Sequence, residues 1–149
     1  MERFLDTPAG RYLLSDEAAR LDLTAMHAFL SQCYWSKDIP RDVLARAVAA
    51  SLCIGAYADA AQVGLTRCVS DYATFCYLCD VYVLEEHRGR GVARALVGFA
   101  LAHPRLQGLR RWSLVTRDAQ PLYREFGFTA SAHPERHMER TRADFYRTD

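Results

Sequence analysis

The chain has 149 residues, 19 basic against 18 acidic for a formal net charge of +1, and half of them are hydrophobic. Such a chain fits a single globular domain spanning residues 1–149, long enough to bury roughly 70% of its unfolded surface without disulfides or a structural metal. The matched charge excludes the large basic excess that marks bulk binding to nucleic acid or an anionic membrane, so neither is expected as a partner.

Met1, Glu2, Arg3 and Phe4 do not open a secretory signal, and no uncharged run approaches the roughly 20 residues of a membrane-spanning helix. The 5 cysteines are an odd number in apolar surroundings, as expected of reduced thiols, and the expected location is cytoplasmic.

Residues before about Arg11 are expected to be loosely held. Tyr12 to Leu14 reads as a short strand. Leu21, Leu23, Met26, Phe29 and Leu30 then recur at helical spacing, and Pro40 opens a second helix with Val43, Leu44, Ala47 and Val48 on one face, ending near Ser51. From Leu52 the period shortens. Leu52 to Tyr57, Gln62 to Val69 and Phe75 to Leu84 read as an antiparallel meander. A helix from Gly91 to His103 stops at Pro104, a strand covers Trp112 to Thr116, and a short helix follows with Asp118 as its cap, Pro121 in its first turn and Gly127 as its left-handed stop. This order of elements predicts an α+β domain.

The most informative stretch is Val81-Tyr82-Val83-Leu84-Glu85-Glu86-His87-Arg88-Gly89-Arg90-Gly91-Val92-Ala93, in which a strand enters a helix through a glycine and arginine turn. Glycines let successive N–H groups converge, and a helix N-terminus adds partial positive charge, so the junction suits a phosphate. Val92 and Ala93 stand where a P-loop needs Lys and Ser or Thr. Arg94 stands where the dinucleotide fingerprint wants its third glycine, and the entering strand is antiparallel, so both nucleotide motifs are excluded.

What remains is Arg-x-x-Gly-x-Ala at Arg88, Gly91 and Ala93. Together with Asp118-Ala119-Gln120-Pro121-Leu122-Tyr123-Arg124-Glu125-Phe126-Gly127-Phe128, it resembles the GNAT superfamily of acyl-CoA-dependent N-acyltransferases over about residues 11 to 130. The resemblance implies a mixed, mostly antiparallel sheet with helices on both faces. It also implies that Arg88, Gly89, Arg90, Gly91, Val92 and Ala93 hold the diphosphate of acetyl-CoA, while Val81, Tyr82 and Val83 pair with its pantetheine arm. Many members carry asparagine near the tyrosine helix, where Arg117 and Asp118 stand here, and capping is the expected task of Asp118.

Acetyl transfer to an amine needs a neutral nucleophile, a polarised carbonyl and a proton for the departing thiolate. A strand N–H at Val81 or Tyr82 suits the carbonyl oxygen. Tyr123, with an ordinary pKa of about 10, is the expected acid, the role the family gives the matching tyrosine. Asp80 is the acid within the strand beside the loop, and it is expected to act through water or to hold a cationic acceptor. Asp71 in the preceding turn is the alternative. Tyr34 and Trp35 are expected to wall the acceptor pocket, and Arg67 to meet an acceptor carboxylate or stand exposed. The Cys76-x-x-Cys79 and His133-x-x-x-His137 pairs lie too far apart for a zinc finger, and no metal is expected. The expected reaction is acetyl transfer from acetyl-CoA to a primary amine of a small molecule. A CoA-binding module without catalysis and a protein N-acetyltransferase are the alternatives. Homodimer formation is left open.

Overall fold

A computed structural model describes residues 1–142, 145 and 146. Two compact units are distinguished, Met1–Val115 and Thr116–Asp149, and each is described in turn.

The first unit holds a mixed six-stranded sheet in chain order, β1 (Glu2–Thr7), β2 (Gly10–Ser15), β3 (Leu52–Ala58), β4 (Ala61–Ser70), β5 (Phe75–Val83) and β6 (Arg111–Ser113). All neighbours are antiparallel except β5 and β6, which run parallel. The expectation of a loose first ten residues is corrected here, because Glu2 to Thr7 pairs along β2 from Glu2↔Ser15 to Thr7↔Gly10. The turn closes on Thr7, whose hydroxyl donates to the Gly10 carbonyl at 2.7 Å and accepts from Ala9 N–H, with Gly10 at φ 131°. An edge strand exposed on its outer side buries little apolar area, so its sequence carries no strong period.

Helices cover both faces of this sheet. Helix α3 (Val92–Leu101) buries Val92, Leu96, Val97, Phe99 and Ala100. A side chain on Gly64 would come within 3.3 Å of Leu96, so this residue of β4 faces α3. Its neighbour Leu65 pairs with Tyr82, and Tyr82 stacks on Phe29 of α1 (Leu23–Leu30) at 4.0 Å between centroids. Because alternate strand residues face opposite sides, α1 lies on the other face. Asp22 caps α1 by accepting from Ala25 N–H at 2.9 Å, and α2 (Arg41–Ala49) packs beside it, starting after Pro40 as expected. Burying each large aliphatic side chain in these layers contributes roughly 1.5–3 kcal/mol.

Two interruptions of the sheet shape the strand that leads into α3. Leu65 pairs with Tyr82 and Arg67 with Cys79, so two residues of β5, Asp80 and Val81, stand opposite Thr66 alone. That is a β-bulge, and Asp80 takes φ 49° there, a left-handed conformation tolerated best by aspartate and asparagine among residues with a side chain. The second interruption is the early end of β6. Its pairing with β5 covers only Phe75↔Arg111, Cys76↔Trp112 and Tyr77↔Ser113, so the edge of β5 beyond Tyr77 has no strand beside it among the described residues. The strand expected over Trp112 to Thr116 is therefore shifted and shorter.

In the second unit, α4 (Gln120–Arg124) begins after Ala119, with Pro121 in its first turn. Asp118 does not cap it, contrary to expectation. The Thr116 hydroxyl accepts from Ala119 N–H at 3.0 Å, while the Asp118 side chain lies 70% exposed and 3.6 Å from Arg117. The helix closes as a Schellman turn: Gly127 at φ 84° donates to the Arg124 carbonyl at 3.0 Å, and Phe128 N–H donates to Tyr123 at 3.2 Å.

Candidate active site

The turn between β5 and α3 is built as an anion cradle. Gly89 and Gly91 sit at φ 72° and 80°, where a side chain would be strained, although nothing lies within 4 Å of the space that a Cβ would take. Gly91 is the N-cap of α3 and has no side chain to bond the first amides. The first intrahelical bond is Ala95 N–H to Gly91 at 2.9 Å, which leaves the amides of Val92 and Ala93 for an anion. Arg88 fastens the turn to the strand, its Nε donating to the Val83 carbonyl at 2.9 Å. The sheet edge at Val81, Tyr82 and Val83 runs directly into this cradle, past the point where β6 has ended.

Asp80 lies at the bulge on that same strand, with its side chain 9% exposed. Trp35 Nε1 donates to Oδ1 at 3.0 Å, and Arg67 Nε donates to Oδ2 at 2.6 Å. Arg67 also donates from Nη1 to Ser51 Oγ at 3.1 Å. Arg67 is thus neither an exposed strand arginine nor an unengaged receptor for a carboxylate. Burial is the strongest single influence and works against its charge, but the charge and hydrogen bond of Asp80 act in the opposite sense and the pKa of Arg67 is raised on balance. Each carboxylate oxygen has two acceptor sites, so Asp80 keeps capacity for one more donor on each side.

Trp35 and Tyr34 form an exposed edge-to-face pair, with ring centroids 5.0 Å apart, and the bond to Asp80 ties this pair to β5. Nearby, the Cys33 thiol is pushed up to about 11, by burial first and by the negative charge of Asp80 second, against the opposing pull of Arg88. Burial likewise lifts Cys53 and Cys79 to about 12. None of these three has appreciable thiolate at neutral pH.

Asp71, the alternative base, spends its carboxylate on its own turn. It accepts from the Thr74 hydroxyl and from the N–H groups of Ala73, Thr74 and Phe75, and these bonds hold its carboxyl well below the usual carboxylate range. Tyr123 occupies a fixed place in the second unit: it is buried, its carbonyl closes the Schellman turn, and its ring meets Phe128 edge to face at 5.9 Å. The Gly-Phe pair after the helix therefore orients the tyrosine itself.

Sequence reasoning missed Tyr12, whose hydroxyl accepts from Arg90 of the cradle, His87, which bonds that same hydroxyl, and Ser51, which braces Arg67. Tyr12 gave no signal beyond that of an apolar strand residue.

Residues 17–128 match the model of the acetyltransferase (GNAT) family. A protein of Gibberella zeae, provisionally named an acetyltransferase, is 36% identical over 137 residues, covering 76% of each chain. A crystal structure from Xanthomonas campestris pv. campestris, provisionally assigned as a GNAT-family acetyltransferase, has a TM-score of 0.89 and 48% identity, covering 92% of this chain and 97% of that one. The fold is shared as well with a GNAT-family acetyltransferase of Elizabethkingia anophelis solved with acetyl-CoA bound, with a TM-score of 0.63, 12% identity and 86% of each chain covered. The chain belongs to the GNAT acetyltransferase family.

Proposed function

We propose that the protein is an acetyl-CoA-dependent N-acetyltransferase, one domain over residues 1–149, that moves an acetyl group to the primary amine of a small molecule by direct attack within a ternary complex. The observation that carries this reading is the open edge of β5 ending in a two-glycine cradle at the N-terminus of α3. An extended thioester arm ending in a diphosphate matches both parts. Arg88, Gly89, Arg90, Gly91, Val92 and Ala93 hold the diphosphate, and Val81, Tyr82 and Val83 present backbone to the arm.

The residues then divide the chemistry. Backbone N–H at the bulge polarises the carbonyl, as an oxyanion-hole donor does. Trp35 and Tyr34 wall the acceptor, and Asp80, held by Trp35 and Arg67, uses its remaining lone pairs for the amine or a water that removes its proton. The amine nitrogen bonds the acetyl carbon as the carbon–sulfur bond breaks, and Tyr123 donates its proton to the departing thiolate.

The test is thiol release from acetyl-CoA across a panel of small amines and peptides, alongside a titration with CoA. Turnover with a small amine is the expected result. Binding without turnover for every acceptor would establish a non-catalytic CoA module. With the correct amine, Tyr123→Phe is expected to lower single-turnover rates by about 100-fold to 10,000-fold while CoA affinity stays near that of the wild type.

A further inference from the structure

Tyr12 lies on β2 and is 2% exposed, yet its hydroxyl reaches the turn ahead of α3. Arg90 Nη1 donates to it at 2.8 Å, and it lies 3.0 Å from Nδ1 of His87, whose ring meets the tyrosine ring edge to face. A guanidinium can only donate, so the hydroxyl oxygen accepts from Arg90 while the same hydroxyl hydrogen-bonds His87.

Arg90 stands between two glycines at positive φ, where the backbone alone does little to fix a long side chain. Its position is set instead by a buried residue of a hydrogen-bonded strand far away in the sequence. Arg88 is fastened separately, to the end of β5. The two arginines thus tie the cradle to different strands.

We propose that Tyr12 is a positioning residue for the acyl donor, holding Arg90 and the Gly89–Gly91 turn in diphosphate-binding geometry before the donor arrives. This rests on the reading of residues 88–93 as the donor loop. A side chain ordered in advance loses less entropy on binding, and the gain appears as affinity.

The test is a double-mutant cycle of Tyr12→Phe and Arg90→Ala on the full chain, read by calorimetric titration with CoA and with pantetheine, which lacks the diphosphate. Each substitution is expected to weaken CoA on the order of tenfold, the size of one charge-assisted hydrogen bond. The double variant should be no weaker than Arg90→Ala alone, and the loss should fall on CoA and not on pantetheine. Additive losses, or equal losses for both ligands, overturn the inference, because a tyrosine that only packs the hairpin would produce them. CoA binding by the wild type that Arg90→Ala leaves unchanged overturns the inference alone. No CoA binding by the wild type overturns the donor-loop reading beneath it. Should Tyr12→Phe fail to fold, His87→Ala at its half-buried position takes its place in the cycle. The same non-additive loss is then expected, and an additive loss or none overturns the inference.

Discussion

The cradle at residues 88–91 and the bulge at Asp80 lie on one strand-to-helix run, and apart from the Arg90 bond to Tyr12 the cradle is held from nearby in the chain while the bulge is held from afar. In the cradle the chain mostly bonds to itself: His87 N–H donates to Leu84, Arg88 N–H to Glu85 and the Arg88 side chain to Val83. At the bulge, a left-handed aspartate is held by Trp35 from the loop after α1 and by Arg67 from the adjacent strand. A locally built turn can be altered at the expense of ligand affinity with the fold kept. A site built from distant parts loses stability when one part is removed.

The sharpest break in that comparison comes from Gly91→Val. At φ 80° a β-branched side chain is strained, and it would also stand where an anion must approach, but no protein atom lies within 4 Å. CoA affinity is expected to fall by more than about 100-fold by titration, with a modest drop in melting temperature. Near-wild-type affinity would show that the cradle does not hold the donor.

Asp80→Ala should do the reverse. It leaves the Arg67 guanidinium, with its side chain 18% exposed, without its counter-ion, and a cost of about 3 kcal/mol in denaturant unfolding is expected. Asp80→Gly separates the two contributions at this position. It removes the same ion pair but suits the positive φ, so it should be more stable than Asp80→Ala by about 1 kcal/mol. Equal stabilities would mean that the bulge stores little backbone strain.

Trp35→Phe keeps an aromatic ring and removes only the donor to Asp80. A loss of about 1 kcal/mol or less is expected, together with a raised KM for the amine acceptor. An unchanged KM would take Trp35 out of the acceptor wall.

The smallest effect belongs to Asp71, another locally built site. Its folded-state carboxyl is lowered by the Thr74 hydroxyl and three backbone N–H groups, so its contribution is complete above the unfolded value of about 4 and is lost as pH falls below that toward the lowered value. Asp71→Asn should flatten the decline of the unfolding midpoint between about pH 4 and pH 2. An unaltered acid limb would assign acid sensitivity elsewhere.

Sequence alone determined the features whose cause lies within a few residues. Helical periods placed α1, α2 and α3, the shorter period placed the meander, and the glycine pairing around Arg90 marked the cradle. Gly127 likewise marked the end of the tyrosine helix, because few residues other than glycine adopt φ 84° there. Tertiary structure decided what sequence spacing does not encode. Residues 2–7 form a strand because β2 offers a partner, and Thr116 rather than Asp118 bonds the chain at the start of α4, through the amide of its N-cap residue Ala119. One extra residue in β5 opposite Thr66 turns Asp80 toward Trp35 and Arg67, and this pairing register exists only once β4 and β5 have met. Tyr12 reaches His87 and Arg90 for the same reason: bonds between residues more than seventy positions apart form where the folded sheet brings them together, and no local propensity foreshadows them.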